Sequence, residues 1–515
     1  MSKKMVLSVL AKAVVVVIVG IALIAFGVIL FPVIPAVIRS GMDKDIPFAE
    51  GSEAVKTWEY PPVPVYMNFY VFDLLNKDET MAGAKPSVLE KGPYVYRQLI
   101  SKANVTFNPN STVSYTQPVT YVFVPELSGG KENDTFTALN MVLATVADLY
   151  QKTFEKLGPA ARLLLEEFLK LAGENMFRTL TVKDMIWGYE DPFLKKIAPL
   201  MKAIGVDVPE TIGIFIGQNG SDDGVHNIYT GVKDIMKFNT LDRYNGQSEL
   251  SFWRTPYCNR IQGSTDGTMW HPFIDESETL YIFNSGVCRS FYIKFDSRVQ
   301  LKGVDLLRFV QPASVYANAT INPDNIGFCM PDDGHCLDSG VLNVSHCRQG
   351  APVFMSEPHF YNAASKYIDA IIGIHPNKEN HATRIDVEPY TGVGMSAKMK
   401  FQINIYYENY KGIDSMKNLR PTFYPLAWFE ASATLTDALA SKMRNELVLP
   451  LTIGFWVKIC MICIGFVITT IGIIYGYKRK VWCRGKPSEE TLVINEKKAK
   501  HNYGSSEETQ VTPAV

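Results

Sequence analysis

Cysteine and histidine are the residues of this chain whose types and spacing could do chemistry, and they crowd into the stretch from Cys288 to Phe360. Cys288, Cys329, Cys336 and Cys347 lie there, with His335, His346 and His359 among them. Such a mixture has two readings, a zinc site held by thiolates and imidazoles or an oxidised, disulfide-bonded segment. Zinc is the weaker one, because the stretch contains no C-x2-4-C and no H-x3-5-H pair. Two sequons, Asn318-Ala-Thr320 and Asn343-Val-Ser345, sit between the cysteines. Sequons are glycosylated only on lumenal or extracellular chain, where disulfides also persist, so the oxidised reading is preferred.

Elsewhere the chain offers no reactive constellation. It has no G-x-S-x-G, no H-E-x-x-H and no G-x-x-x-x-G-K-[ST]. Gly392-Val-Gly394 lacks the third glycine of a dinucleotide loop and runs into a strand-like segment, so it reads as a turn. Asp222-Asp223 and Asp332-Asp333 stand in turn-like contexts, where Asp is favoured for local hydrogen bonds. Neither an enzyme nor a cofactor is expected. With 51 Lys+Arg against 52 Asp+Glu the formal net charge is -1, which leaves no basic excess for nucleic acid.

The elements that must position this segment begin with two apolar runs. Residues 13–38 are apolar behind Lys3, Lys4 and Lys12, and residues 447–477 are apolar apart from Lys458 and capping polar residues, ending at Lys478-Arg479-Lys480. About 20 residues suffice to span a bilayer. The first run exceeds a signal-peptide core and ends in Phe31-Pro-Val-Ile-Pro35 without a small-residue cleavage site, so it reads as an uncleaved anchor. Basic residues flank both runs on their chain-terminal sides, which puts residues 1–12 and 478–515 in the cytoplasm and residues 39–446 outside it. All six sequons, at Asn104, Asn110, Asn133, Asn219, Asn318 and Asn343, fall within that interval. Topology and glycosylation signals thus agree without having been required to.

Between the spans the pattern starts as β. Residues 63–72, Tyr94-Val-Tyr96 and residues 120–124 read as strands, with Asn104 and Asn110 marking an exposed turn between the last two. From Thr137 the period changes: Leu139, Val142, Leu143, Val146, Leu149 and Tyr150 predict an amphipathic helix. Pro159 opens a second through Leu171; Thr181 with Asp184 caps a third; Asp191-Pro192 starts a fourth that stops near Gly205. The second helix is apolar over more of its circumference than one buried face needs, which suits either packing between neighbours or a ligand surface. Later, Met399, Phe401, Ile403, Ile405 and Tyr407 alternate with Lys400, Gln402 and Asn404, which predicts a strand with one face on the core and one in water.

Several of these segments together resemble the class B scavenger receptor family. They are residues 90–97 (Glu-Lys-Gly-Pro-Tyr-Val-Tyr-Arg), Trp187-Gly-Tyr189 with Asp191-Pro192, Gly263 to Gly267 with His271-Pro-Phe273, and Cys288-Arg-Ser290. Pro323-Asp-Asn325, Ser339 to Leu342, Pro358-His-Phe360, His375-Pro-Asn377 and Asp386 to Pro389 add to them. Gly327 to Pro331, Cys336 and Gly340 to Ser345 are most similar to the branch of lysosomal integral membrane protein type two; the fatty-acid translocase branch carries a Cys-x-Cys where this chain has Gly327 and Cys329.

The resemblance implies an α+β ectodomain with an antiparallel β-barrel core, an apical helical bundle at residues 137–203, and an apolar tunnel toward the membrane. It implies a receptor for lipids, lipoproteins or lipid-bearing particles; the alternative is an endosomal or lysosomal receptor that escorts an acid hydrolase. A two-span channel or ectonucleotidase is less well supported, since neither a polar pore stripe nor a phosphate-binding loop is present. Disulfides Cys288–Cys347 and Cys329–Cys336 are implied, with Cys258 left unpaired because its partner's position is Gly327. Leu164, Phe168, Lys170 and Lys183 are the apical ligand candidates. No histidine precedes His226, which argues against an apical histidine switch. In the tail, Cys483 is a palmitoylation candidate, and residues 489–494 approximate an acidic dileucine signal with Val493 in a leucine's place.

Overall fold

A computed structural model describes residues 3–153, 158, 159, 163, 167, 175–203, 209–330, 336–348, 350–410 and 416–478. These separate into two compact units, one made of the two chain ends (residues 1–41 and 443–515) and one made of residues 42–442.

In the first unit, helix α1 (Lys3–Asp45) and the C-terminal helix α5 (Leu449–Lys478) pack antiparallel. A Cβ built on Gly20 would lie 2.7 Å from the Thr469 nitrogen, and one on Gly465 would lie 2.7 Å from the Gly20 oxygen, so only glycine lets the two backbones approach this closely. The outward side chains are apolar, among them Val15, Ile18 and Phe26 on α1 and Trp456, Ile464 and Phe466 on α5. Helices of 43 and 30 residues with this outward face match lipid rather than water. The Lys458 ammonium lies 4.4 Å from the centre of the Phe31 ring, so its charge faces a ring quadrupole.

The second unit is organised by an eleven-stranded antiparallel sheet. Its strands are β1 (Val65–Leu74), β2 (Val88–Ile100), β3 (Val119–Phe123), β4 (Thr279–Asn284), β5 (Arg289–Leu301), β6 (Val304–Val310), β7 (Leu342–Asn343), β8 (Val353–Ser356), β9 (Arg384–Glu388), β10 (Val393–Tyr407) and β11 (Thr422–Thr434). The spatial order is β4-β5-β6-β9-β10-β11-β1-β2-β3, and β8 pairs with the C-terminal half of β10 while β7 pairs with β8. The long strands are Val-, Tyr- and Phe-rich, and Phe401 stands opposite Phe429 across β10 and β11. Two aromatic cores flank this register. One gathers Phe69, Tyr96, Phe177, Tyr424 and Trp428; the other gathers Trp253, Phe291, Phe309 and Phe401.

Three expectations are corrected here. The helix expected from Thr137 begins at Met141 (α2, Met141–Thr153), because residues Thr135–Leu139 form a strand paired with Phe177–Thr181. The Asn140 side chain then caps α2 by accepting from the Leu143 N–H at 3.1 Å. Asn104 and Asn110 do not share one turn: Asn104 is in a strand (Ala103–Asn108), and Asn110 follows in the hairpin to Thr112–Thr116. The polar face of β10 is not wet. Lys400, Gln402 and Asn404 are all buried, since β8 and the segment 357–383 cover that side.

The short-range signals fare better. The Thr181 hydroxyl accepts from Asp184 N–H at the start of α3 (Val182–Trp187), and Asp191 accepts from the Phe193 and Leu194 N–H groups at the start of α4 (Pro192–Ala203). Val142, Leu143, Met185, Ile186 and Phe193 place α2, α3 and α4 in the same core as Phe69 and Trp428. The expected second helix of this region falls largely outside the described residues.

Candidate functional site

Cysteine chemistry fixes the segment that follows β6. Cys288 is bonded to Cys347 (S–S 2.07 Å) and Cys329 to Cys336 (1.99 Å), so none of these sulfurs is a thiolate for zinc. Among the described residues no group of His, Cys, Asp and Glu is arranged to hold a metal. Cys258 is free and buried, its thiol donating to the Asp324 carbonyl at 3.4 Å, and burial pushes its pKa up. A Cβ built on Gly327 would lie 2.7 Å from the Cys258 sulfur. Gly327→Cys is therefore expected to close a Cys258 bridge once the Thr255 hydroxyl rotates aside, stabilising the unit by about 2–4 kcal/mol. Thiol labelling of denatured, unreduced protein should lose one labelled cysteine, and a retained label would refute the placement.

The sequons divide by exposure. Asn104, Asn110, Asn133 and Asn219 are exposed, whereas Asn318 and Asn343 are half-buried and donate their side-chain N–H to the Leu337 and Met330 carbonyls at 2.8 and 3.1 Å. Lys183 is exposed on α3. Leu164, Phe168, Lys170 and Cys483 lie outside the described residues, so the apical ligand candidates are not brought together with Lys183 here.

Two features escaped sequence reasoning. The first is a buried polar network beneath the covered face of β10. His359 and Trp428 donate to one oxygen of Glu90 at 2.5 and 2.7 Å. Burial alone would raise Glu90, but those two bonds outweigh it and hold its pKa below the ordinary carboxylate value. His359 Nδ1 accepts the His375 N–H at 3.0 Å, which puts its ring proton on Nε2. Its backbone, with Phe360, sits at φ 53° and 54°, a left-handed conformation of order 1–3 kcal/mol per residue that the surrounding bonds must enforce. His381 stacks on the His359 ring at 4.4 Å and accepts the Asn377 N–H through Nδ1. Glu90 and His359 belonged to motifs that carried the family resemblance, and 269 residues separate them, so no local pattern could have joined them.

The second is a surface groove of about 430 Å³ between the chain entering β1 and the ends of β2 and β3. Tyr60, Pro61, Pro62, Val63, Pro64, Leu99, Ile100 and Pro118 line it, with Arg97 and Gln98 on the β2 side. Tyr60 and Leu99 are 68% and 47% exposed, so apolar surface is presented to solvent beside a cation. Pro61-Pro62 precede the strand-like residues 63–72, and nothing in the sequence joins them to Leu99.

The profile of the CD36 family matches residues 18–476, both spans and the unit between them. The chain belongs to the CD36 family. Among its relatives, scavenger receptor class B member 1 of Sus scrofa is 33% identical over 496 residues, covering 96% of this chain and 95% of the relative. Lysosome membrane protein 2 of Homo sapiens is 36% identical over 464 residues, covering 89% and 92%, and the Rattus norvegicus protein of that name is 35% identical over 460 residues. This CD36-family chain is a membrane protein with two terminal apolar helices and an antiparallel sheet core between them.

Proposed function

We propose that this protein is a non-enzymatic receptor whose ectodomain binds the acyl chain and acidic headgroup of lipids, presented free or in lipoproteins. The observation that carries the reading is the groove at residues 60–64 and 97–101, where apolar walls adjoin the Arg97 guanidinium. Eight to ten buried methylenes supply about 6–8 kcal/mol, the scale of micromolar binding before ordering costs. Receptor relatives by name, scavenger receptor class B member 1 among them, support it. In the same reading the sheet closes as a barrel around an apolar path toward the membrane, residues 137–203 form the apical bundle, and the six sequons carry glycans. The compartment is the plasma membrane or an endolysosomal membrane, the latter supported by the relatives named lysosome membrane protein 2.

The test uses the unit of residues 42–442, secreted and purified, with its co-purifying lipid extracted for mass spectrometry. Titration with a fluorescent fatty acid is expected to be saturable and about tenfold weaker in both Leu99→Glu and Arg97→Glu, whose exposed side chains leave the cores intact. Parallel variants Leu164→Glu and Lys170→Glu examine the apical candidates. Lipid-free protein without saturable uptake would reject this reading and put hydrolase escort ahead of it.

A further inference from the structure

A permanently charged side chain is buried in the second core with no acid beside it among the described residues. Arg289, 4% exposed, donates from Nε to the Ser290 carbonyl at 3.0 Å and from Nη1 to the Val315 carbonyl at 3.2 Å. Its guanidinium carbon lies 3.7 Å from the centre of the Phe328 ring. A guanidinium carries five N–H donors, so three have no acceptor among the described residues, and none of the ion pairs found involves Arg289. Desolvation lowers its pKa and the opposing contributions come from phenols and a thiol, not from a carboxylate. Leaving such a charge uncompensated is expensive.

The same guanidinium lines a cavity of about 30 Å³ beside the Cys329–Cys336 bridge. Tyr316 also lines it, 7% exposed, and its buried hydroxyl has no hydrogen-bond partner among the described residues. The neighbouring Ser314, Val315 and Ala317 carbonyls already accept from the Asn325 side chain, and Val315 from Arg289 as well. The remaining walls are largely apolar, including Phe328, Val341 and Leu342. Among the described residues, Arg289 and Tyr316 thus bring unpartnered donors to a space that admits about two waters or one monatomic ion, but no acyl chain and no tetrahedral oxyanion.

We propose that this cavity is a binding site for one halide ion, chloride in biological fluids, held by the Arg289 guanidinium and the Tyr316 hydroxyl. Water alone would satisfy the donors and leave the charge unneutralised. The site is separate from the groove at Arg97, and its occupancy joins β5 to the turn at residues 313–316 through a charge that has no ion-pair partner among the described residues.

The test uses the full chain in detergent micelles at fixed ionic strength. Chloride and bromide are expected to raise the thermal midpoint saturably, whereas gluconate and sulfate are not, and radiolabelled chloride should bind at one ion per chain and be displaced by bromide. Tyr316→Phe removes only a hydroxyl that has no partner among the described residues, so it should fold and require about tenfold more chloride for the same shift. Arg289→Gln should abolish the binding. Absence of any halide-specific shift and of bound label in the unaltered chain would overturn the proposal, as would label binding of undiminished affinity in Tyr316→Phe.

Discussion

Lys400→Met is expected to destabilise the unit of residues 42–442 by about 3–5 kcal/mol, the cost of removing one partner from a buried ion pair. Lys400 is 2% exposed and its ammonium lies 3.2 Å from Glu430, itself 7% exposed, while also donating to the Asn380 carbonyl. Burial lowers the Lys400 pKa, and Glu430 opposes that shift. Methionine keeps most of the volume, so the loss is electrostatic rather than a cavity. Glu430 would keep the Asn68 amide at 3.1 Å and the more distant Lys398 at 3.8 Å, too little for a charge in that position. Adding Glu430→Gln to Lys400→Met should recover part of the loss, so that the double variant costs less than the sum of the singles. Strictly additive costs in denaturant titrations would show that the pair is not coupled.

Stability between pH 4 and 8 is expected to pass through a plateau, because two buried groups titrate with opposite sign. Burial, and then the stacked His359, lower His381 to about 4, with Glu90 opposing and Lys400 adding. Between pH 6.5 and 4 the unfolded chain binds a proton that the folded one refuses, so this stabilisation is complete above 6.5 and is lost as pH falls, by about 2–3 kcal/mol. Glu357 behaves in reverse: burial, only partly offset by Asn362, the Thr383 backbone and Lys400, pushes it up to about 8. Between pH 4.5 and 8 the folded chain holds a proton the unfolded one has lost, so that stabilisation is complete below 4.5 and is lost as pH rises, on the order of 4 kcal/mol. The two largely offset each other from pH 4.5 to 6.5, and Glu357 prevails above it. Glu357→Gln should abolish the decline between pH 6.5 and 8 while leaving the acid decline in place. A variant that kept the decline above 6.5 in thermal midpoints would assign it to another group.

Legibility followed the range of the interaction. Thr181 with Asp184 and Asp191 with Pro192 could be read because caps act over three residues. The period around Leu139 suits a helix, yet its strand is decided by pairing with Phe177. Alternation along Met399 to Tyr407 identified a strand but could not say what covers its polar side, since a buried Lys400 and a wet one leave the same pattern. Arg97 stands in a quoted motif with no sign of the prolines across the groove, and Arg289 stands beside Cys288 with no sign of its burial. The two apolar helices and the disulfide-bonded segment are legible because composition alone carries them.

The pairing of β1 with β11 bears on how the chain is made. Val65 stands opposite Ala433, 368 positions later (433 − 65), so at about 5–20 residues per second roughly 20–70 s pass before a ribosome delivers the partner. For that interval a nascent β1 carrying Phe69, Val71 and Phe72 has β2 on one edge and nothing on the other. Its open edge is a template for pairing with other chains, so the first strand has to stay vacant until nearly the last one arrives.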